Sequence, residues 1–130
     1  MALSDVAVPS QISINRAEQT AGTVAVDTIG SSVVFVHQIY INNTLNTTPV
    51  YLKLYDSGSS VTVGTTDPSF VFPCAGSSVA EFGIHPGGRL ANGIKAAVVT
   101  DPGTGGTTSP TSDVSYVIMY GSAEAPGTGA

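Results

Sequence analysis

Two histidines, one cysteine and nine acidic residues are the natural candidates for acid–base, nucleophilic or metal chemistry in this sequence. A hydrolytic triad needs a nucleophile, a histidine and an acid held in one geometry, and no Gly-x-Ser-x-Gly elbow is present to present a serine. His37 falls in an alternating apolar run and reads as a packed core or interface histidine. His85 precedes Pro86 and two glycines and reads as a turn or surface residue. Cys74 stands inside a strand-like run and reads as a small buried hydrophobe rather than a thiol nucleophile. Because it is alone, it can form no intrachain disulfide.

Metal and sugar chemistry fare no better. Zinc needs cysteines and histidines at ligand spacing, and one Cys with two distant His does not supply it. Asp101 and Asp113 flank a long loop, with Asp67 elsewhere; they would approach one another only if the flanking strands pair, and they read as ordinary loop acids. A glycosidase needs two carboxylates across a cleft; Glu18, Glu81 and Glu124 stand in no run that looks like a cleft wall. The stretch 103–109, Gly-Thr-Gly-Gly-Thr-Thr-Ser, lacks the lysine and following helix of a phosphate loop and reads as a hairpin loop. Asn42 and Asn46 open Asn-x-Thr triplets, which are compositional without a secretion signal. The expectation is a chain with no catalytic residue, no cofactor and no metal site: not an enzyme.

What remains is binding. Tyr51 and Tyr55 share one face of a strand at i and i+4 and would form a small aromatic platform if exposed; the alternative is that they pack against a neighbouring sheet or subunit. The first fifteen residues carry Leu3, Val6, Val8, Ile12 and Ile14, with Pro9 interrupting any regular element. An apolar extended arm of this kind suits strand addition to a sheet edge. Its alternative is an ordinary edge strand of its own domain. These seven residues, Leu3, Val6, Val8, Ile12, Ile14, Tyr51 and Tyr55, are the candidate interface.

The elements that position these residues follow from composition. Sixteen Val and eight Ile against five Leu favour a pleated surface over helices. Charged residues are only 10% of the chain, so few stretches can make a solvated helix with paired charges. The net charge of −5, with Arg16, Lys53, Arg89 and Lys95 scattered singly, argues against nucleic acid and against anionic membrane surfaces. No segment approaches the eighteen or so apolar residues of a membrane-spanning helix, and the opening residues carry no signal-peptide pattern, so the expectation is synthesis in the cytoplasm.

Strand signals recur every ten residues or so. Residues 11–15, 23–29, 33–42, 50–56, 61–63, 69–74, 79–82, 93–100 and 114–120 alternate or run apolar. The run 33–42 is expected to be the longest strand, with Val33, Phe35, His37, Ile39 and Ile41 facing the core. Residues 16–22 have room for one helical turn at most. His85-Pro86-Gly87-Gly88 is expected to be a loop, and 101–112 is the longest surface loop. The expected core residues are Phe35, Ile39, Leu52, Leu54, Phe72, Val98 and Ile118. About eight strands with short turns predict an all-β, single-domain β-sandwich of jelly-roll type. The expected divisions are an extended N-terminal arm (1–15), the sandwich (16–121) and a C-terminal tail (122–130).

Two groups of segments carry a resemblance. One is Tyr51-Leu52-Lys53-Leu54-Tyr55-Asp56 with Val61-Thr62-Val63-Gly64-Thr65-Thr66-Asp67-Pro68. The other is Phe70-Val71-Phe72-Pro73-Cys74-Ala75-Gly76-Ser77 with Phe82-Gly83 and Leu90-Ala91-Asn92-Gly93-Ile94. Over roughly residues 33–120 the chain resembles small β-sandwich structural proteins from tailed-bacteriophage virions. The resemblance implies a capsid decoration, or cement, protein that binds and stabilises the capsid lattice. It implies a virion location after assembly in the host cytoplasm. The implied partners are the major capsid protein or other virion proteins, and further copies of the chain in a homo-oligomer. The alternative is a receptor- or glycan-binding domain of a tail or fibre. A cement protein spans neighbouring capsid subunits, and many weak copies add up through multivalency.

Overall fold

The structure is a computed structural model and describes residues 12–19, 26–30 and 32–121. Eight strands form in chain order: β1 (Ile12–Gln19), β2 (Asp27–Gly30), β3 (Val34–Asn43), β4 (Val50–Tyr55), β5 (Phe70–Cys74), β6 (Ser78–Leu90), β7 (Ile94–Val99) and β8 (Val114–Gly121). They make two four-stranded antiparallel sheets, one in the order β1-β8-β3-β6 and the other β2-β7-β4-β5. The chain is therefore an all-β sandwich, as its alternating pattern requires. Strands pair in nested fashion: β1 with β8, β2 with β7, β3 with β6 and β4 with β5. Only the β4–β5 connection stays within a sheet; every other step crosses to the opposite one.

The core lies between the sheets. Ile39 and Ile41 of β3, Leu52 and Leu54 of β4, Val98 of β7 and Ile118 of β8 are fully buried there, with Phe72 nearly so. Six of the seven expected core residues thus lie where alternation places them. The seventh does not. Phe35 is half-exposed, while Val34 and Val36 point inward. The cause is a β-bulge: Val36 lies opposite Tyr120 and Gln38 opposite Met119, so His37 is one extra residue on β3. One inserted residue exchanges the two faces of the strand beyond it. The expected inward set Val33, Phe35 and His37 is therefore replaced by Val34 and Val36.

Three further expectations are corrected. His85-Pro86-Gly87-Gly88 belongs to β6, which at thirteen residues is longer than β3. β6 passes from the partner of Gln38 at Gly83 to the partner of Val36 at Gly88, so the interruption that Pro and Gly impose is a bulge within a strand, not a loop. Val61–Val63 forms no strand; Thr65 and Thr66 donate backbone N–H to Thr62 O in a local turn. Arg16–Gln19, assigned at most a helical turn, continues β1 against β8.

The proposed arm boundary at residue 15 falls inside β1. Ile12 to Asn15 pair with Gly121 to Ile118 of the same sandwich, as an edge strand does. Leu3, Val6 and Val8, and the tail 122–130, lie outside the described residues, as do the side chains of Ile12 and Ile14.

Candidate functional site

The two outer faces of the sandwich differ. On the second sheet, β4 is buried on both sides. Leu52 and Leu54 enter the core, while Lys53 and Tyr55 on the opposite face are also buried, together with Ala97 and Val99 of the neighbouring β7. The loops 56–69 and 100–113 form a covering layer there. The Lys53 ammonium donates to the carbonyl oxygens of Gly103 (2.5 Å) and Gly106 (3.5 Å). Asp101 Oδ1 accepts from the Gly103 N–H at 2.8 Å, and the Thr104 hydroxyl donates to Asp67 Oδ1 at 2.9 Å, joining the two loops. Burial lowers the pKa of Lys53, and the Asp101 carboxylate partly opposes that shift.

This layer disposes of the tyrosine platform. Tyr51 is half-buried and Tyr55 is buried, so the pair is not a platform of two exposed rings. The Tyr55 hydroxyl finds no hydrogen-bond partner among the described residues, and burial pushes its pKa up. Of the two readings of this face, Tyr55 follows the one in which it packs under neighbouring structure, and the loop carbonyls that cap Lys53 are the part no local pattern records.

The remaining candidates are dispersed. Cys74 is buried, with its Sγ 3.5–3.8 Å from the carbonyl oxygens of Ser78, Ala75 and Ile41, and burial raises its pKa. Asp101 and Asp113 do not face each other across a strand pair, because β7 and β8 lie in different sheets. Asn46 is buried and its carboxamide is fully engaged, which closes that Asn-x-Thr triplet to modification in the folded chain. Asn42 Oδ1 accepts from the N–H and hydroxyl of Thr44 in a tight local turn. A shallow depression lined by Ser32, Ser57, Ser59, Asn92 and Asp56 is polar, and Asp56 Oδ1 accepts the Asn92 N–H at 2.7 Å. Among the described residues no group of three His, Cys, Asp or Glu is placed to hold a metal ion.

Among the described residues, the outer face of the first sheet is the surface left open. No described loop is tied across it as 100–113 is tied across the second sheet. Register fixes its composition level by level. Val79, Asn42 and Ser115 form one level across β6, β3 and β8, followed by Glu81, Tyr40 and Val117, and then Gly83, Gln38 and Met119. Beyond the bulge come Arg89, Phe35 and Gly121. Val79 is 51% exposed, and Tyr40, Val117, Met119 and Phe35 are half-exposed. Glu81 and Arg89 are the carboxylate and the guanidinium that β6, β3 and β8 bring to these levels, both exposed on β6, while the register of β1 adds Arg16 opposite Val117 and Glu18 opposite Ser115. The bulge also brings His37 to this side: a Cβ on Gly87 would lie 3.2–3.3 Å from its imidazole and 3.1 Å from Phe35 Cβ. Sequence reasoning missed this surface because it placed Phe35 and His37 in the core.

No family model matches the chain, and no curated protein matches it. Among solved structures, one similar chain comes from the Bacillus endospore appendages, a family of disulfide-linked pili; identity is 18%, over 87% of this chain and 90% of that one, with a TM-score of 0.46. Another is the Tobacco streak virus coat protein, at 12% identity over 95% of this chain and 92% of that one, with a TM-score of 0.43.

Proposed function

We propose that this chain is a structural component of a tailed-phage virion, a decoration protein that seats on the capsid lattice and stabilises it. The observation that carries the reading is the open face of the first sheet. It presents Tyr40, Val117, Met119, Phe35 and Val79 among small polar groups, with one carboxylate and one guanidinium across the levels that β3, β6 and β8 share. Such a surface can be buried against protein at low desolvation cost. The resemblance over roughly residues 33–120 supports the same class of protein. The nested strand pairing supports the jelly-roll form of the sandwich. We read the chain as non-enzymatic.

The mechanism is mechanical: each copy buries β surface against its neighbours, and many weak contacts sum over the lattice. The glycan-binding alternative loses its motive with the burial of Tyr55. Densitometry of purified particles, together with binding of the purified chain to empty capsids, tests the proposal. Copies in the hundreds and retention on capsids are expected. Copies in the tens with affinity for a cell-surface sugar would replace it with the receptor reading.

A further inference from the structure

We propose that the open face of the first sheet is a two-fold interface with a second copy of the same chain, in which Glu81 of each copy meets Arg89 of the other. The inference deepens the structural-protein reading, on which it rests, by naming the partner of that face; the dimer then becomes the unit that meets the capsid.

A symmetric interface must be self-complementary, because the same patch appears on both sides. Consider a two-fold axis lying between two facing sheets, at right angles to the strands and at the level of Gln38. It lays each strand across its own copy in the opposite direction. The level of Glu81, Tyr40 and Val117 then covers the level of Arg89, Phe35 and Gly121. Glu81 faces the partner's Arg89, Tyr40 faces the partner's Phe35, and Gln38 and Met119 lie beside their own equivalents near the axis. The β6 charges are matched twice, the aromatic rings have an aromatic neighbour, and the larger Val117 meets a glycine, while on β1 the level of Arg16 covers the partner's level of Ile12. Each sheet twists along its own strands, so contact is tightest at the axis and opens toward the rim, which leaves the two ion pairs at the edge strand β6.

The competing arrangement joins the two β6 edges into one continuous sheet, which also brings Glu81 opposite Arg89. The backbone of β6 argues against it. Pro86 offers no N–H for a ladder, and Gly87 at φ +143° departs from strand geometry at the centre of such a pairing. Edge pairing would also leave Tyr40, Phe35 and Met119 uncovered.

Sedimentation equilibrium of the full chain, over a range of concentrations at neutral pH, tests the proposal. A mass of two chains is expected. Glu81→Arg and Arg89→Glu should each weaken the dimer at least about tenfold, and the chain carrying both changes should return to within about threefold of the original, because the swap restores each pair across the axis. Tyr40→Ser should weaken the dimer without this rescue, as edge pairing would not require. A monomeric chain, single variants that associate as before, failed rescue, or an unaffected Tyr40→Ser dimer each overturn the proposal. Both charged residues are exposed, so circular dichroism of the variants should match the parent. Capsid binding of the same variants separates the two readings. A monomer that still coats capsids leaves the virion assignment standing and removes this interface; a rescued dimer that coats nothing does the reverse.

Discussion

The carboxamide nitrogen of Asn46 donates to Oδ1 of Asn43 at 2.9 Å, and both side chains are buried. Around this contact three connections are tied into one end of the sandwich. Asn43 Nδ2 donates to the carbonyls of Thr48 and Ala75 at 2.9 and 3.1 Å. Asn46 Nδ2 donates also to Ser112 O, while its Oδ1 accepts from the Ser112 N–H and the Thr111 hydroxyl. Each buried polar group is partnered, so the network is worth most as a unit. Asn46→Ala should destabilise the chain by about 3 kcal/mol, because Asn43 Oδ1 and the Ser112 N–H lose their partner in a buried place. Asn46→Asp should not rescue it, since a carboxylate accepts but cannot donate to Asn43 Oδ1 or Ser112 O. Urea unfolding of the two variants measures both effects.

Lys53 gives a prediction with a definite sign. Its pKa in the folded chain is lowered by burial, while in the unfolded chain it returns to the ordinary lysine value of 10.5. Between those two values the unfolded chain binds more protons, so this group makes the fold more stable as pH rises through the window. Below the lowered value the buried charge is a standing cost, offset by the carbonyls of Gly103 and Gly106. Lys53→Met keeps the aliphatic stem and removes the charge. Stability near neutral pH should stay within about 1 kcal/mol of the parent, and the parent-minus-variant difference should grow as pH climbs toward 10.5. Hydrogen exchange at Gly103 to Gly106 should quicken in the variant, because the loop loses its anchor. Cys74 and Tyr55, with raised pKa values, act in the opposite direction in both proteins and cancel in the difference.

Gly76 is predicted to be intolerant of a side chain. A Cβ there would lie 2.1 Å from Thr47 O and 2.9 Å from Thr48 N, both backbone atoms with little freedom to move. The neighbouring Ser77 N–H donates to Asn46 O at 2.7 Å and holds the two turns together. Gly76→Ala should therefore lower stability by about 2 kcal/mol or more through overpacking, with a matching fall in melting temperature. An unchanged melting temperature would mean that the turns can separate without loss.

Much of this architecture is legible in the sequence because side-chain period and burial agree wherever strands run without interruption. Leu52 and Leu54, Val98, and Val114 with Tyr116 and Ile118 are inward for that reason. Alternation carries no record of where a strand gains a residue, so the bulge at His37 reversed the reading of Phe35. Pro86 and the paired glycines gave a correct signal of irregular backbone, but a bulge inside β6 and a loop look alike in composition. The cover over the second sheet was hidden for another reason. It depends on contacts between distant segments, Lys53 with Gly103 and Asp67 with Thr104, that no local pattern encodes. The open face became visible only by subtraction, once the cover and the bulge were both placed.

The bulge itself can be tested by a paired substitution. If β3 ran without interruption, Phe35 and Ile39 would share the core face and truncation at either would leave a cavity. With the extra residue at His37, Phe35 stands beside Gly87 on the open face, and Val36 takes the inward position at the level of Tyr120. Phe35→Ala should then cost about 1 kcal/mol, the loss of partial contact on a half-exposed ring. Leu54→Ala, which empties a fully buried site between the sheets, should cost about 2–5 kcal/mol. Denaturant midpoints of the two variants, measured under conditions where the parent is a monomer so that interface loss does not enter, decide the matter. Equal costs would return Phe35 to the core and remove the bulge, whereas a wide separation places the ring on the surface where a second copy can reach it.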